Sequence, residues 1–323
     1  GAKASTDITY WPEAIRAGVE LRTWCRVKEV TVDGSGMANG VSYFDEEGEE
    51  QFQPAHIVIV ACNGVGTPRI LLNSKSERHP DGLGNSSGLV GKNLMLHPYA
   101  SIQGVFHDEL DGYRGPHDSI WSQEFYETNA DRGFVRGFTF EFNRGRGPVA
   151  TALSGVHSGR IPWGEGHHSA YRKLYNRIAG MVSICEDLPE EHNRVTLDET
   201  LCDKHGIPAP KLNYTISDNS QKMLDFSVER AADALTAAGA YDLMIDSPIT
   251  HGGWHLLGTA RMGKDPTKSV VNEWGRSHDV KNLFVVDGSL FVTSTGVNPT
   301  RTIQALALYI TNEMKKRLAT LFD

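Results

Sequence analysis

Three short stretches near the C-terminus carry residues that could do chemistry together. His255 stands in His255-Leu256-Leu257-Gly258-Thr259-Ala260-Arg261-Met262-Gly263, between a Gly252-Gly253 turn and Gly258. A histidine with a pKa near ~6.5, on a loop held by rigid neighbours, is suited to moving a proton at neutral pH. Asn298-Pro299-Thr300 opens a helical pattern, with Asn as the N-cap and Pro at the first helical position. Such a helix start presents free N–H groups and partial positive charge, which attract an anion or an electron-rich ring edge. Residues 282–286 read as a short buried strand that ends in Asp287-Gly288. Open α/β sheets place ligands beyond the carboxyl ends of their strands. Taken singly, these features have commoner readings: a helix cap, a satisfied histidine, a turn. Their joint order and spacing give them weight.

The elements that must position these residues are partly legible. Residues 19–32 are rich in β-branched side chains and partly alternate, so they predict one long strand or a strand pair. A turn at Asp33-Gly34-Ser35-Gly36 leads to a strand over 40–44 and a second turn at Asp45-Glu46-Glu47-Gly48. The apolar run 57–61 suits a parallel strand covered on both faces. After the loop Asn63-Gly64-Val65-Gly66, Thr67 as N-cap and Pro68 predict a short helix over 68–73. Residues 99–250 are more mixed, with strand-like residues 134–142 and Gly/Arg/His-rich loops over 143–148 and 155–168. Residues 218–238 are a helix: Leu224, Val228, Ala231, Leu235 and Ala238 share a face, Asp218 can cap it with Gln221 three residues on, and Gly239 ends it. Beyond Asn298-Pro299, Ile303, Leu306, Ile310 and Met314 share a face, and Lys315, Lys316 and Arg317 suit the helix C-terminus.

Composition excludes several classes. The 323 residues carry a net charge of −8, which argues against a nucleic-acid partner. No apolar run approaches the ~20 residues of a membrane span. The four cysteines form no C-x-x-C, which favours a reducing, cytoplasmic setting. His167-His168, and His251 with His255, lack metal-site spacing, so no metal is expected. Arg144 and Arg146 read as a solvated basic loop, and Asp45-Glu46-Glu47 with Glu49-Glu50 as a surface acidic turn. No G-x-G-x-x-G opens the chain.

The ordered set H-x-x-G-T-x-R-M-G (255–263), S-V-V-N (269–272), N-L-F-V-V-D-G-S (282–289) and G-x-N-P-T-x-T-I (296–303) resembles the C-terminal signature of the glucose–methanol–choline (GMC) flavin oxidoreductases. Upstream, Gly1-Ala2-Lys3-Ala4-Ser5, V-I-V-A-C-N-G-V-G-T-P (58–68) and V-G-K-N-L-M-L-H-P (90–98) are similar to segments of the same family. The resemblance covers roughly half of the chain. It implies an α/β fold, α+β overall: a Rossmann-like FAD-binding sheet from residues 1–98 and 265–323, and a substrate domain over 99–264 with an antiparallel sheet and helices on one side. It implies FAD as cofactor, His255 as general base and Asn298 as hydrogen-bond partner of the substrate hydroxyl. The helix beginning at Pro299 would stabilise the reduced ring. Val27, Ala61, Cys62, Asp287, Gly288, Asn298, Pro299 and Thr300 are the implied cofactor contacts. The motif forms look nearest to the sugar and sugar-acid branches, which implies a sugar-like secondary alcohol. A sterol or other apolar-alcohol oxidase and a non-catalytic remnant chain are the alternatives. Arg301 could meet an acidic substrate, a flavin phosphate or solvent. A further segment carrying G-x-G-x-x-G, N-terminal or on a second polypeptide, is the expected partner, and a homo-oligomer is possible.

Overall fold

The computed structural model describes residues 4–116, 118–250 and 254–320. The Gly252-Gly253 turn, His251 and residues 1–3 of the N-terminal motif lie outside the described residues. After helix α1 (Tyr10–Arg16), strands β1 (Arg26–Val32), β2 (Ala38–Phe44) and β3 (Glu50–Pro54) form an antiparallel meander. The strand expected over 19–32 thus begins only at Arg26. Strand β4 (Val58–Val60) runs into helix α2 (Asn63–Asn73).

Strands β5 (Tyr99–Val105), β6 (Asp118–Ser122), β7 (Phe138–Asn143) and β8 (Ile178–Cys185) follow, with helices α3 (Pro148–His157) and α4 (His167–Leu174) between β7 and β8. A hairpin of β9 (Arg194–Cys202) and β10 (Pro208–Asn213) leads to helix α5 (Asp218–Ala237) and strand β11 (Asp242–Asp246). The chain closes with β12 (Leu283–Val285) and helix α6 (Thr300–Lys316). Among the described residues no helix is long and apolar enough to cross a membrane.

Two sheets matter for the site. β4 and β12 pair in parallel, Val58 opposite Leu283 and Val60 opposite Val285. Their apolar side chains share one core with Leu71 of α2 and Ile310 of α6. Burial of both faces, expected for residues 57–61, holds for one only: Ile59 keeps 46% of its surface exposed. Phe284, opposite Ile59, is 1% exposed, so that face is covered over β12 and open over β4.

The second sheet has the order β11-β5-β8-β7-β6 and is antiparallel throughout. Side chains alternate across it, as the pleat requires. Ala100, Ile102, Phe140 and Met181 pack against Met223, Leu224, Ala231 and Leu235 of α5. Each of the larger side chains here contributes about 1.5–3 kcal/mol on burial. The other face is not bare, as helices on one side would leave it. α3 and α4 cover its apolar end, where Val105, Ile178 and Met244 meet Val156, Ile161 and Leu174.

Three helix starts depart from local expectation. α2 begins at Asn63, not after Thr67, because Asp287 accepts the Asn63 N–H at 3.0 Å and the Asn63 side chain accepts from Val65 and Gly66. Pro68 then lies inside the helix and cannot bond the carbonyl four residues back. That carbonyl, on Gly64, accepts the Thr259 hydroxyl instead, at 2.7 Å. α5 is capped by Ser217, whose Oγ accepts from Ser220 N at 3.1 Å, rather than by Asp218. At α6 no side chain caps, and Pro299 occupies the N-cap position. Asn298, the expected cap, donates to Glu141.

Candidate active site

The His255 loop is seated on the start of α2. A side chain at Gly64 would strike the Leu256 carbonyl oxygen at 2.5 Å, so only glycine lets the loop cross there. Met95 and Leu257 exchange backbone hydrogen bonds of 3.0 and 3.1 Å, and His97 N donates to Trp254 O at 3.3 Å. Gly258, at φ 92°, donates to Gly288 O, and Ala260 and Met262 donate to Ser289 and Leu290. The G-T-A-R-M segment therefore runs along the exit of β12. These contacts hold His255 at φ 61°, a left-handed conformation that costs a non-glycine residue about 1–2 kcal/mol.

His255 has close ring partners. Its Nδ1 lies 2.7 Å from Nδ1 of His97, and the Tyr99 hydroxyl is 3.4 Å from the same atom. His97 is 2% exposed, and its Nε2 donates to the Thr295 carbonyl. Trp254 packs edge-on against Tyr99, centroids 4.2 Å apart. Burial lowers the His255 pKa from its usual value. Burial, with the neighbouring His255, drives that of His97 down to about 3. Burial likewise raises the Tyr99 phenol and the Cys62 thiol.

A cavity of about 1010 Å³ opens from His255, Tyr99 and Trp254 along the sheet face opposite α5. Ser101, Gln103, Glu141 and Asn143 wall it, and it reaches Thr151, Ser154 and Arg160 near α3. The segment that opens α6 joins the two regions: Thr295 accepts from His97 and Asn298 donates to Glu141. His255 and Asn298 are thus tied through intermediaries, with no direct hydrogen bond between them among the described contacts.

The other sequence candidates fall into distinct places. Asp287 is 8% exposed and both its oxygens are engaged: Oδ2 by Asn63 N and Thr67 Oγ1, Oδ1 by Ser289 N and Oγ. It ties together the exits of β4 and β12 from within. Gly288 packs beneath Leu256, where a side chain would meet that carbonyl at 2.8 Å. Ala61 is exposed and Cys62 half-buried at the β4 exit. Pro299 is buried, and Thr300 and Arg301 are exposed. Val27 lies in β1 opposite Tyr43, in a different sheet from β4 and β12. His97, Tyr99 and Glu141 were missed. The alternation of residues 99–103 (Y-A-S-I-Q) could have put Tyr99, Ser101 and Gln103 on one polar face.

Asp187 stabilises the region from below. It is 1% exposed, and burial raises its carboxyl. It accepts from Tyr214 OH at 2.8 Å, Ser220 Oγ at 3.0 Å and Leu96 N at 3.2 Å, so it anchors the segment leading to His97 against α5.

The depressed His97 pKa predicts a pH-dependent difference in stability. A group depressed in the folded state contributes stability that is present above its unfolded value near 6.5 and lost as pH falls toward its folded value of about 3. Between pH 7 and pH 4.5 the wild type should lose about 2–3 kcal/mol from this source. His97→Asn removes the titration, so the gap in urea-unfolding stability between variant and wild type should narrow by about that amount. A gap independent of pH would contradict it.

The fold has solved counterparts. Pyridoxine 4-oxidase from Mesorbium loti superposes with a TM-score of 0.64 at 14% identity, over 90% of this chain and 57% of that one. A formate oxidase superposes with a TM-score of 0.63 at 17% identity, over 92% and 61%. Sequence narrows the class. Residues 1–99 match the N-terminal and residues 189–307 the C-terminal domain of the GMC oxidoreductases, and this chain belongs to that FAD-carrying family. It is 39% identical to the 2-methyl-1,2-propanediol dehydrogenase of Mycolicibacterium austroafricanum, over 100% of this chain and 59% of that protein. It is 31% identical to the 6'''-hydroxyparomomycin C oxidase of Streptomyces lividus, over 99% and 56%. The fructose dehydrogenase large subunit of Gluconobacter japonicus is 27% identical over 94% and 56%. The chain therefore spans just over half the length of these curated relatives.

Proposed function

We propose that this chain carries the substrate-side machinery of an FAD-dependent enzyme that oxidises a secondary hydroxyl of a sugar, sugar acid or glycoside. The observation that carries the reading is the cavity ending on His255, Tyr99 and Trp254, which sets a row of polar side chains beside the apolar Val182, Met244 and Ile249. Ser101, Gln103, Glu141 and Asn143 present donors and acceptors along one sheet face, as a polyhydroxylated ligand requires. A sterol or other apolar alcohol would make little use of these donors and acceptors. The relatives named for a diol, an aminoglycoside and fructose fit a hydroxyl-bearing substrate.

In this reading FAD supplies the hydride acceptor. His255, neutral because burial lowers its pKa, takes the hydroxyl proton as the carbon's hydrogen leaves with its electron pair. The Asn298 amide has one N–H on Glu141 and a second N–H for the alcohol oxygen. The first turn of α6, from Pro299 and Thr300, has no side-chain cap, so its amides suit an electron-rich ring edge. Ala61, Cys62 and Gly288 would border the cofactor at the strand exits, Asp287 would brace them, and Val27 would contribute from the meander. Residues 1–98 and 265–323 form the cofactor unit, and 99–264 the substrate unit.

The start of α2 does not fit a pyrophosphate: the amides of Asn63, Val65 and Gly66 are taken internally. The phosphates therefore belong to a partner segment carrying G-x-G-x-x-G, either N-terminal in the same polypeptide or on a second chain. It would also cover the exposed Ile59. Intact mass measurement beside a flavin absorbance scan tests this. Stoichiometric FAD on a lone 323-residue chain would contradict it.

Asn298→Asp places a second carboxyl group against Glu141 and near the expected ring edge. Potentiometric titration should show a lower flavin reduction potential, and turnover should fall. Unchanged potential together with unchanged turnover would remove Asn298 from the site. The function itself is tested by anaerobic addition of sugars, sugar acids, glycosides, short diols and sterols to the full-length flavoprotein. Bleaching by a sugar-class compound is expected. Bleaching by sterols alone would reverse the substrate assignment, and no bleaching by any alcohol would leave a non-catalytic scaffold.

A further inference from the structure

We propose that His97 is a positioning residue that fixes the tautomer of His255, making Nε2 of His255 the nitrogen that receives the substrate proton. The inference rests on the reading of His255 as the base.

The Thr295 carbonyl fixes one end of the hydrogen-bond chain. The Thr295 carbonyl can only accept, so Nε2 of His97 must carry its hydrogen. A neutral imidazole has one N–H, which leaves Nδ1 of His97 as a lone pair. That lone pair lies 2.7 Å from Nδ1 of His255, so Nδ1 of His255 carries the hydrogen and donates it. Nε2 of His255 is then the basic nitrogen. The Tyr99 hydroxyl, 3.4 Å from the same Nδ1, can accept only as a weaker second partner.

The neutrality of His97 is set by its surroundings. It is 2% exposed, and its ring partners among the described contacts are another histidine and a carbonyl rather than a carboxylate. A charged imidazolium there would lose hydration without gaining an ion pair. If His97 were charged, both its nitrogens would donate, and Nε2 of His255 would hold the hydrogen and be blocked as a base. The backbone keeps the rings in register: His97 N bonds Trp254 O, and Met95 pairs with Leu257 on the same two segments. The left-handed φ of 61° at His255 belongs to this arrangement.

The experiment compares His97→Asn, His97→Gln and His255→Ala in the full-length flavoprotein. An asparagine carboxamide can still offer an acceptor near the Nδ1 position. A glutamine can still donate to Thr295 but offers no acceptor in the Nδ1 position. Single-turnover flavin reduction by substrate should be roughly 10²-fold slower in His97→Gln, and within about tenfold of wild type in His97→Asn, with substrate Kd little changed in both. A merely structural tie to Thr295 would give the reverse order. Histidine ¹⁵N spectra supply the direct reading, with no variant required: His255 should show a protonated Nδ1 and an unprotonated Nε2. A proton on Nε2, or His97→Gln as fast as His97→Asn, overturns the proposal. His255→Ala separates the two claims. If it reduces flavin at the wild-type rate, the base reading itself falls. If it is slow while His97→Gln is normal, only the tautomer assignment falls.

Discussion

Replacing His255 by Ala should slow flavin reduction by roughly 10²–10⁴-fold, about 3–5 kcal/mol, while FAD is retained. The side chain borders the cavity, and its backbone is fixed independently by the Met95–Leu257 pairing and by Gly258, so the loop should survive the truncation. Because burial lowers the His255 pKa, the wild-type rate should fall on the acid side, with the limb centred below the usual histidine value of about 6.5. Stopped-flow reduction across pH measures both. A wild-type rate in His255→Ala, or an acid limb centred above pH 6.5, would be inconsistent with His255 as a buried neutral base.

Asp287→Ala should destabilise the chain by about 3–5 kcal/mol, a loss comparable to breaking a buried charged network. Four donors depend on this carboxylate, and three of them belong to Thr67 and Ser289, which are both 0% exposed. Without it the start of α2 and the turn after β12 lose their common anchor, and the His255 loop rests on both. Asp287→Asn keeps part of the acceptor capacity and should cost less. Urea unfolding of the two variants gives the comparison. A loss below about 1 kcal/mol for Asp287→Ala would show that these bonds are replaced by solvent.

Elements written by their own residues were legible. The strand over 282–286, the turns around β2 and the α5 stripe from Leu224 to Leu235 follow from periodicity, and Gly239 closes α5 at φ 100°. Apart from the α5 cap, which passes to the neighbouring Ser217, the helix starts that failed were decided by distant partners. α2 starts early because Asp287, 224 residues away, accepts the Asn63 N–H. Asn298 leaves its helix uncapped because Glu141, 157 residues away, takes its amide. No local pattern holds that information. The site divides the same way. His255 and Asn298 stood out because the motif resemblance named them. His97 lay in the quoted N-L-M-L-H-P run, but its pairing with His255 across 158 residues follows only from the Met95–Leu257 bridge. Glu141 reaches the cavity only because β7 pairs with β8 in a register that turns it away from α5.

The central claim is that a carbon–hydrogen bond next to a hydroxyl is broken in the cavity that His255 borders. The most direct test is single-turnover flavin bleaching of the full-length flavoprotein with a sugar-class substrate deuterated at the oxidised carbon. Slower bleaching with the deuterated substrate, and near-abolished bleaching of either isotopologue in His255→Ala, is the predicted result. Equal rates for the two isotopologues, together with an active His255→Ala, would contradict it.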